Sequence, residues 1–306
     1  MVEHQGICYS GYRENQHPDQ GTFPSPQQIE EDLQIIAKRW RKIRLYDSGG
    51  HARLVLEALE RLDLDMEVLL GAWLAAEVSN PECPWGAWFS DEQLAANRAF
   101  NEAEIERCVA LSKRYDRWVT SVAAGNEATV SWTGQMVPVP RVLEFVRTLK
   151  SALPSKQVTS CDNHVPWMGK LAPVAEELDF ISVHSYPVWE YRSIEEAISV
   201  TDADWRRVSE RYPGTPVAIT EAGWTTRSNG RGIEPHNANA DLQTRYYQEL
   251  TRWGRDNGVL VYVFEAFDEP WKGSADPDEP EKHWGLFTVD RRPKPVMHDH
   301  YPELVA

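Results

Sequence analysis

Eight short apolar runs, most of them followed by residues with helical spacing, constrain this chain more than any other feature. The runs cover 6–10, 42–46, 67–73, 118–124, 157–161, 180–183, 216–220 and 260–264. They are rich in Val, Ile, Leu and aromatic residues and are nearly continuous in hydrophobicity. That pattern marks strands buried on both faces of a parallel sheet. Ser25-Pro26 opens the first helix, Ser as N-cap and Pro at the first helical position, and Ile29, Leu33, Ile36, Ala37 and Trp40 recur along one side. Further helices are expected over 51–62, 91–114, 140–153, 171–178, 202–212 and 239–257.

Strict alternation with no composition break predicts one α/β domain over 1–306. Eight units in 306 residues favour a closed (β/α)8 TIM barrel. An open doubly wound sheet is the alternative, and no glycine-rich phosphate loop supports it.

Composition narrows the partners. Thirty-two basic against 47 acidic residues leave a net charge of -15. Such a surface repels nucleic acid and anionic membranes and tolerates a neutral polymer. The chain carries 13 Trp and 11 Tyr. Trp85, Trp88, Trp132, Trp167, Trp189, Trp224, Trp271 and Trp284 fall near strand ends or in loops, where stacking on sugar rings explains them better than packing alone. Taken singly, Trp132, Trp167 and Trp189 read equally as sugar platforms or as loop packing.

Cys8, Cys83, Cys108 and Cys161 show no metal spacing, and Cys8 and Cys161 are expected as buried free thiols. No apolar run reaches membrane-spanning length. Met1 to Gln5 lacks a signal-peptide pattern, so the expectation is a cytoplasmic protein as written, or a periplasmic or secreted one if a leader has been trimmed. A monomer is expected.

Polar residues gather just after the strands: Tyr46-Asp47, Asn126-Glu127, Asp162-Asn163-His164, His184 and Tyr186, Glu221 to Trp224, and Glu265 to Lys272. In a barrel these positions share one rim, where active sites are built. Glu127 after the fourth strand and Glu221 after the seventh would face each other across the mouth. Glycosidic cleavage needs such a pair, one acid to protonate the leaving oxygen and one carboxylate to act at the anomeric carbon. Asn126 beside the acid can hydrogen-bond a sugar 2-hydroxyl. Gly223 and Trp224 read as shaping the floor of the subsite. His184 reads as a hydrogen-bonded residue of the mouth rather than a proton carrier. Two carboxylates suffice, so no cofactor or metal is expected. His298-Asp299-His300 has some metal-ligand character but lies beyond these clusters.

These blocks resemble the clan A glycoside hydrolases and, more closely, glycoside hydrolase family 17, the β-1,3-glucanases and β-1,3-glucan transglycosylases. The resemblance rests on Gly6-Ile7-Cys8-Tyr9, Ile43-Arg44-Leu45-Tyr46-Asp47, Gly125-Asn126-Glu127, Val183-His184-Ser185-Tyr186-Pro187, Thr220-Glu221-Ala222-Gly223-Trp224, Phe264 through Lys272, and Glu281 through Phe287. It implies Glu127 as acid/base and Glu221 as nucleophile, with retention of configuration. It further implies that Tyr46, Asp47, Tyr186, Glu269, Lys272 and Glu281 line subsites or orient the two acids. Tyr9, Asn126, Trp224, Glu265 and Trp271 complete the expected substrate-binding set.

The expected substrate is β-1,3-glucan or laminari-oligosaccharides. Hydrolysis within the chain is the leading reading, and glucan transfer by the same two residues is the alternative. A carbohydrate-binding barrel without catalysis is the competing class, and it would need a lost carboxylate. A Schiff-base role for Lys272 conflicts with Glu269 beside it. The loops 77–91 and 225–239 match no family motif.

Overall fold

The computed structural model describes residues 4–305, so Met1 to Glu3, on which the leader expectation partly rests, lie outside the described residues. Eight parallel strands close a barrel in chain order: β1 (Gln5–Cys8), β2 (Lys42–Leu45), β3 (Glu67–Ala72), β4 (Val119–Asn126), β5 (Gln157–Asn163), β6 (Ile181–Ser185), β7 (Val217–Ala222) and β8 (Val261–Val263). Closure is made by β1 against β8, with Gly6 opposite Tyr262. A Cβ on Gly6 would lie 2.4 Å from the Tyr262 ring, so the missing side chain makes room for that ring.

Helices ring the barrel: α1 (Pro26–Ala37), α2 (Gly50–Leu62), α3 (Asp91–Arg114), α4 (Val139–Ala152), α5 (His164–Trp167), α6 (Ala172–Ala175), α7 (Ile194–Arg211) and α8 (Ala240–Asn257). Several bury an apolar stripe, such as Ile29, Leu33 and Ile36 of α1 or Tyr246 and Leu250 of α8, whereas α3 turns Asn101 and Glu104 inward beside Ile105 and Cys108. Three helices open with a reciprocal capping box, Ser25 with Gln28, Ser90 with Gln93 and Ser193 with Glu196.

The last of these corrects an expectation. The helix expected over 202–212 starts a full two turns earlier, at Ile194. Ser193-Ile194-Glu195-Glu196 supplies the N-terminal cap, and the polar run after it remains helical because Ala197, Thr201 and Asp204 face inward. The helix expected over 171–178 shrinks to α6, and a single turn, α5, forms earlier, where Asn163 caps the backbone N–H of Val165.

β4 and β5 run further than expected, so Asn126 and Asn163 are the last residues of their strands. The β4–β5 register shifts between Ala123 and Asn126, Gly125 has φ 82°, and Glu127 has φ 44°. That left-handed geometry is unusual for Glu and is the kind of local strain that collects at functional sites.

Gly223 follows β7 where the chain passes against β8. A Cβ there would sit 2.1 Å from the Phe264 carbonyl oxygen, whereas a Cβ on Gly169 meets nothing within 4 Å. Gly223→Ala is therefore expected to lower unfolding stability by about 1–3 kcal/mol, and Gly169→Ala to leave the urea midpoint nearly unchanged. Equal midpoints for the two variants would contradict the close approach.

Candidate active site

The centre of the barrel mouth is organised by Arg44, which projects inward from β2 and is 2% exposed. Its Nη1 donates to Glu221 Oε1 at 2.7 Å and to the Thr220 carbonyl at 3.0 Å, and its Nη2 donates to Asn126 Oδ1. A guanidinium can only donate. Asn126 must therefore turn its oxygen to Arg44, which leaves its amide NH2 for a ligand. The Tyr46 ring packs against the guanidinium at 4.6 Å.

Glu221 is buried at the end of β7. Its Oε2 accepts from Tyr186 Oη at 2.7 Å. Burial would raise this carboxyl, but the His184 ring, the Arg44 guanidinium and the hydroxyls of Tyr186 and Tyr46 outweigh it and hold it below its ordinary value. Glu127 is more open, with its side chain 26% exposed.

His184 joins the two acids. Its Nδ1 lies 2.9 Å from Glu127 Oε1 and 3.5 Å from Glu221 Oε2, and its Nε2 faces Arg44 Nη1 at 3.1 Å. Nδ1 carries the hydrogen offered to Glu127, and in the neutral ring Nε2 accepts from Arg44, which can only donate. Burial opposes charge on the ring, yet Glu221, Cys161 and Glu127 raise its affinity for protons. Behind Glu127, the buried Asp162 accepts from Thr129 Oγ1 at 2.7 Å. Burial, and secondarily the Glu127 charge, push it up to about 7.

Facing β8 and β1 is a second polar cluster. Lys272 Nζ sits between Glu265 Oε2 at 2.7 Å and Glu269 Oε2 at 2.8 Å. Ser10 also donates to Glu269. The cluster is buried, so the alternative of a surface ion pair does not apply. Burial works against the Lys272 charge, but Glu265 and Glu269 hold its pKa well above the ordinary value, which denies it a Schiff-base role. Glu265 is pushed well up, by burial first and by Glu269 second, against Lys272. The half-buried Glu281 carboxyl, raised by burial, feels both Lys272 and Glu127. Asp47 is half-buried and accepts from the Gly49 N–H at 2.6 Å. Trp271 packs edge-on against Tyr12 and His17 on the β1 loop.

Two expected contact residues lie elsewhere. Tyr9 points away from the mouth to α1, where its hydroxyl donates to Asp32 at 3.1 Å. Trp224 points to α8, packs at a tilt against Tyr246 and donates from Nε1 to the Asn237 carbonyl at 2.7 Å. Both are essentially inaccessible, at 1% exposure, because side chains after a strand alternate between the barrel interior and the helical layer. The floor role expected of Trp224 is therefore replaced by wall packing. Trp167 is buried as well and donates to the Ser182 carbonyl at 3.0 Å.

Two residues central to this geometry carried no assigned role in the sequence reading or a minor one, Arg44 and His184. The signal for Arg44 was present, since a charged residue inside a buried apolar strand requires a partner.

Glu127, His184 and Glu221 offer three ligand atoms within 4.8 Å of one another, as do His164, Glu190 and Asp204 where the β5 and β6 loops meet α7. In the first group the Arg44 guanidinium already supplies the positive charge. His298 and His300 belong to neither group.

A barrel with one open and one buried, ionised carboxylate converging from β4 and β7 defines a glycoside hydrolase. The chain belongs to the BtgE/BtgC glycoside hydrolase domain family, which it matches over residues 6–285. It is 24% identical to a glucan 1,3-beta-glucosidase of Arthroderma benhamiae, covering 87% of this chain and 82% of that one. It is 25% identical to a putative glucan endo-1,3-beta-glucosidase of Aspergillus niger, covering 89% of this chain but only 40% of that longer protein. Among solved structures it is similar to an endo-laminarinase from Formosa, with a TM-score of 0.84, 25% identity and coverage of 98% and 87%. A Rhizomucor miehei β-1,3-glucanosyltransferase of glycoside hydrolase family 17 shares the fold, with a TM-score of 0.73, 21% identity and 95% of each chain.

The Tyr186 hydroxyl is one of the groups keeping Glu221 ionised. Tyr186→Phe is expected to raise the Glu221 pKa, so the acidic limb of the kcat/KM–pH profile moves to higher pH while the basic limb stays in place. A profile displaced equally on both limbs, or not at all, would count against this role.

Proposed function

We propose that this chain is a retaining hydrolase of β-1,3-glucan that cleaves within laminarin-type chains by double displacement. The observation that carries the reading is the approach of the two acids: a carboxylate oxygen of Glu127 and one of Glu221 lie within 4.8 Å. Retaining glycosidases hold their carboxyl groups about 5–5.5 Å apart, whereas inverting ones leave roughly 6.5–9.5 Å for a water. The names of the family relatives support β-1,3-linked glucose as the substrate.

Glu221, ionised and fixed by Arg44 and Tyr186, attacks the anomeric carbon. Glu127 gives its proton to the leaving oxygen and, in the second step, takes one from the incoming acceptor. The Nδ1–H of His184 steadies Glu127 through both steps. The Asn126 amide NH2 is placed to donate to the sugar 2-hydroxyl, where contacts tighten in the transition state. Lys272, Glu269, Glu281 and Asp47 offer donors and acceptors for further hydroxyls. Transfer to a second glucan uses the same intermediate, and the Rhizomucor glucanosyltransferase fold favours keeping it as the second reading.

Glu221→Gln is expected to cut laminarin turnover about ten-thousand-fold or more. Proton NMR of the first product should show the β-anomer, and an initial α-anomer would overturn retention. With a labelled laminari-oligosaccharide, products longer than the substrate would shift the reading from hydrolysis to transfer.

A further inference from the structure

Three of the largest exposed apolar side chains are carried by two neighbouring loops on one arc of the rim. Trp85 is 66% exposed and Trp88 73%, both in the loop after β3, while Trp132, 37% exposed, lies in the loop that begins at Glu127. These loops are one body. The buried Asn80 side chain donates to the carbonyls of Ser131 and Thr133, each at 2.8 Å. The backbone N–H groups of Glu77 and Val78 share the Met136 carbonyl, at 2.9 and 3.3 Å. The Glu77 carboxylate is in turn fixed by Arg141 at 2.9 Å and Asn101 at 3.1 Å. A Cβ on Gly134 would lie 3.4 Å from Trp85 Nε1, so the indole of one loop rests beside the backbone of the other.

Holding tryptophans in water on an anchored support is costly unless something covers them. Flat indole faces suit the C–H faces of pyranose rings, and the net charge of -15 favours a neutral chain over a polyanion. The position selects which part of the chain. Lys272, Glu269 and Glu265 occupy the β8–β1 arc, and the tryptophans occupy the β3–β4 arc beside the acid that protonates the leaving oxygen.

We infer that Trp85, Trp88 and Trp132 form a stacking platform for the leaving-group side of a neutral β-glucan chain, beyond the bond that is cleaved. This rests on the reading of Glu127 as acid/base. The platform also holds an incoming glucan acceptor, since acceptors enter from the side on which leaving groups depart.

The test compares Trp85→Ala/Trp88→Ala and Trp132→Ala with the parent on laminarin and on an aryl β-laminaribioside, which has no sugar on the leaving side. Laminarin kcat/KM is expected to fall about tenfold while the aryl substrate changes by less than about twofold. In the Glu221→Gln background, the same changes should weaken retardation in laminarin affinity gels. Unchanged laminarin kinetics, or parallel losses on both substrates, would overturn the platform. A parent that cleaves neither substrate overturns the assignment of Glu127 and Glu221 itself, and the platform with it.

Discussion

The mouth of this barrel depends on one buried cation. Arg44 is nearly inaccessible, and a guanidinium moved out of water is expensive unless each of its directions is matched. Here the matching groups are the Thr220 carbonyl and Glu221 on one strand, Asn126 on another and His184 on a third, with the Tyr46 ring beside them. The same contacts that make the cation tolerable set the protonation state of Glu221 and the orientation of the Asn126 amide. Stability and chemistry are thus coupled at a single residue. A substitution there would disturb four strands' worth of side chains at once.

Around that centre the rim divides into two kinds of surface. On the β8–β1 side, a lysine clasped between two buried glutamates presents charge and hydrogen-bonding capacity. On the β3–β4 side, an anchored loop pair presents indoles. The acids lie between the two arcs. A sugar chain crossing such a mouth would meet hydroxyl-reading groups on one side of the cleavage point and flat apolar faces on the other.

Much of this was legible in the residues. The eightfold alternation led to the barrel because doubly buried strands and amphipathic helices have different periods, and the two follow one another regularly along the chain. Glu127 and Glu221 were legible because each stands at the C-terminal end of a buried strand, Glu127 just after β4 and Glu221 as the penultimate residue of β7. What escaped were residues whose role depends on direction. Tyr9 and Trp224 sit beside functional positions in sequence, yet their side chains face the helical layer, where Asp32 and Tyr246 receive them. Arg44 escaped for the opposite reason, since it lies inside an apolar strand run and was given no role of its own. The true start of α7 was signalled by its capping box but masked by a mixed polar sequence.

The break in regularity at the end of β4 has a geometric result. In an even strand, neighbours point to opposite faces. Between Ala123 and Glu127 the register slips and two residues adopt positive φ. Asn126 and Glu127, consecutive in the chain, consequently reach Arg44 and His184 inside the same mouth. A ruler-straight strand could deliver one of them to a bound sugar and would hand the other to the helices outside. The irregularity lets two adjacent codons deliver two side chains to one and the same cavity.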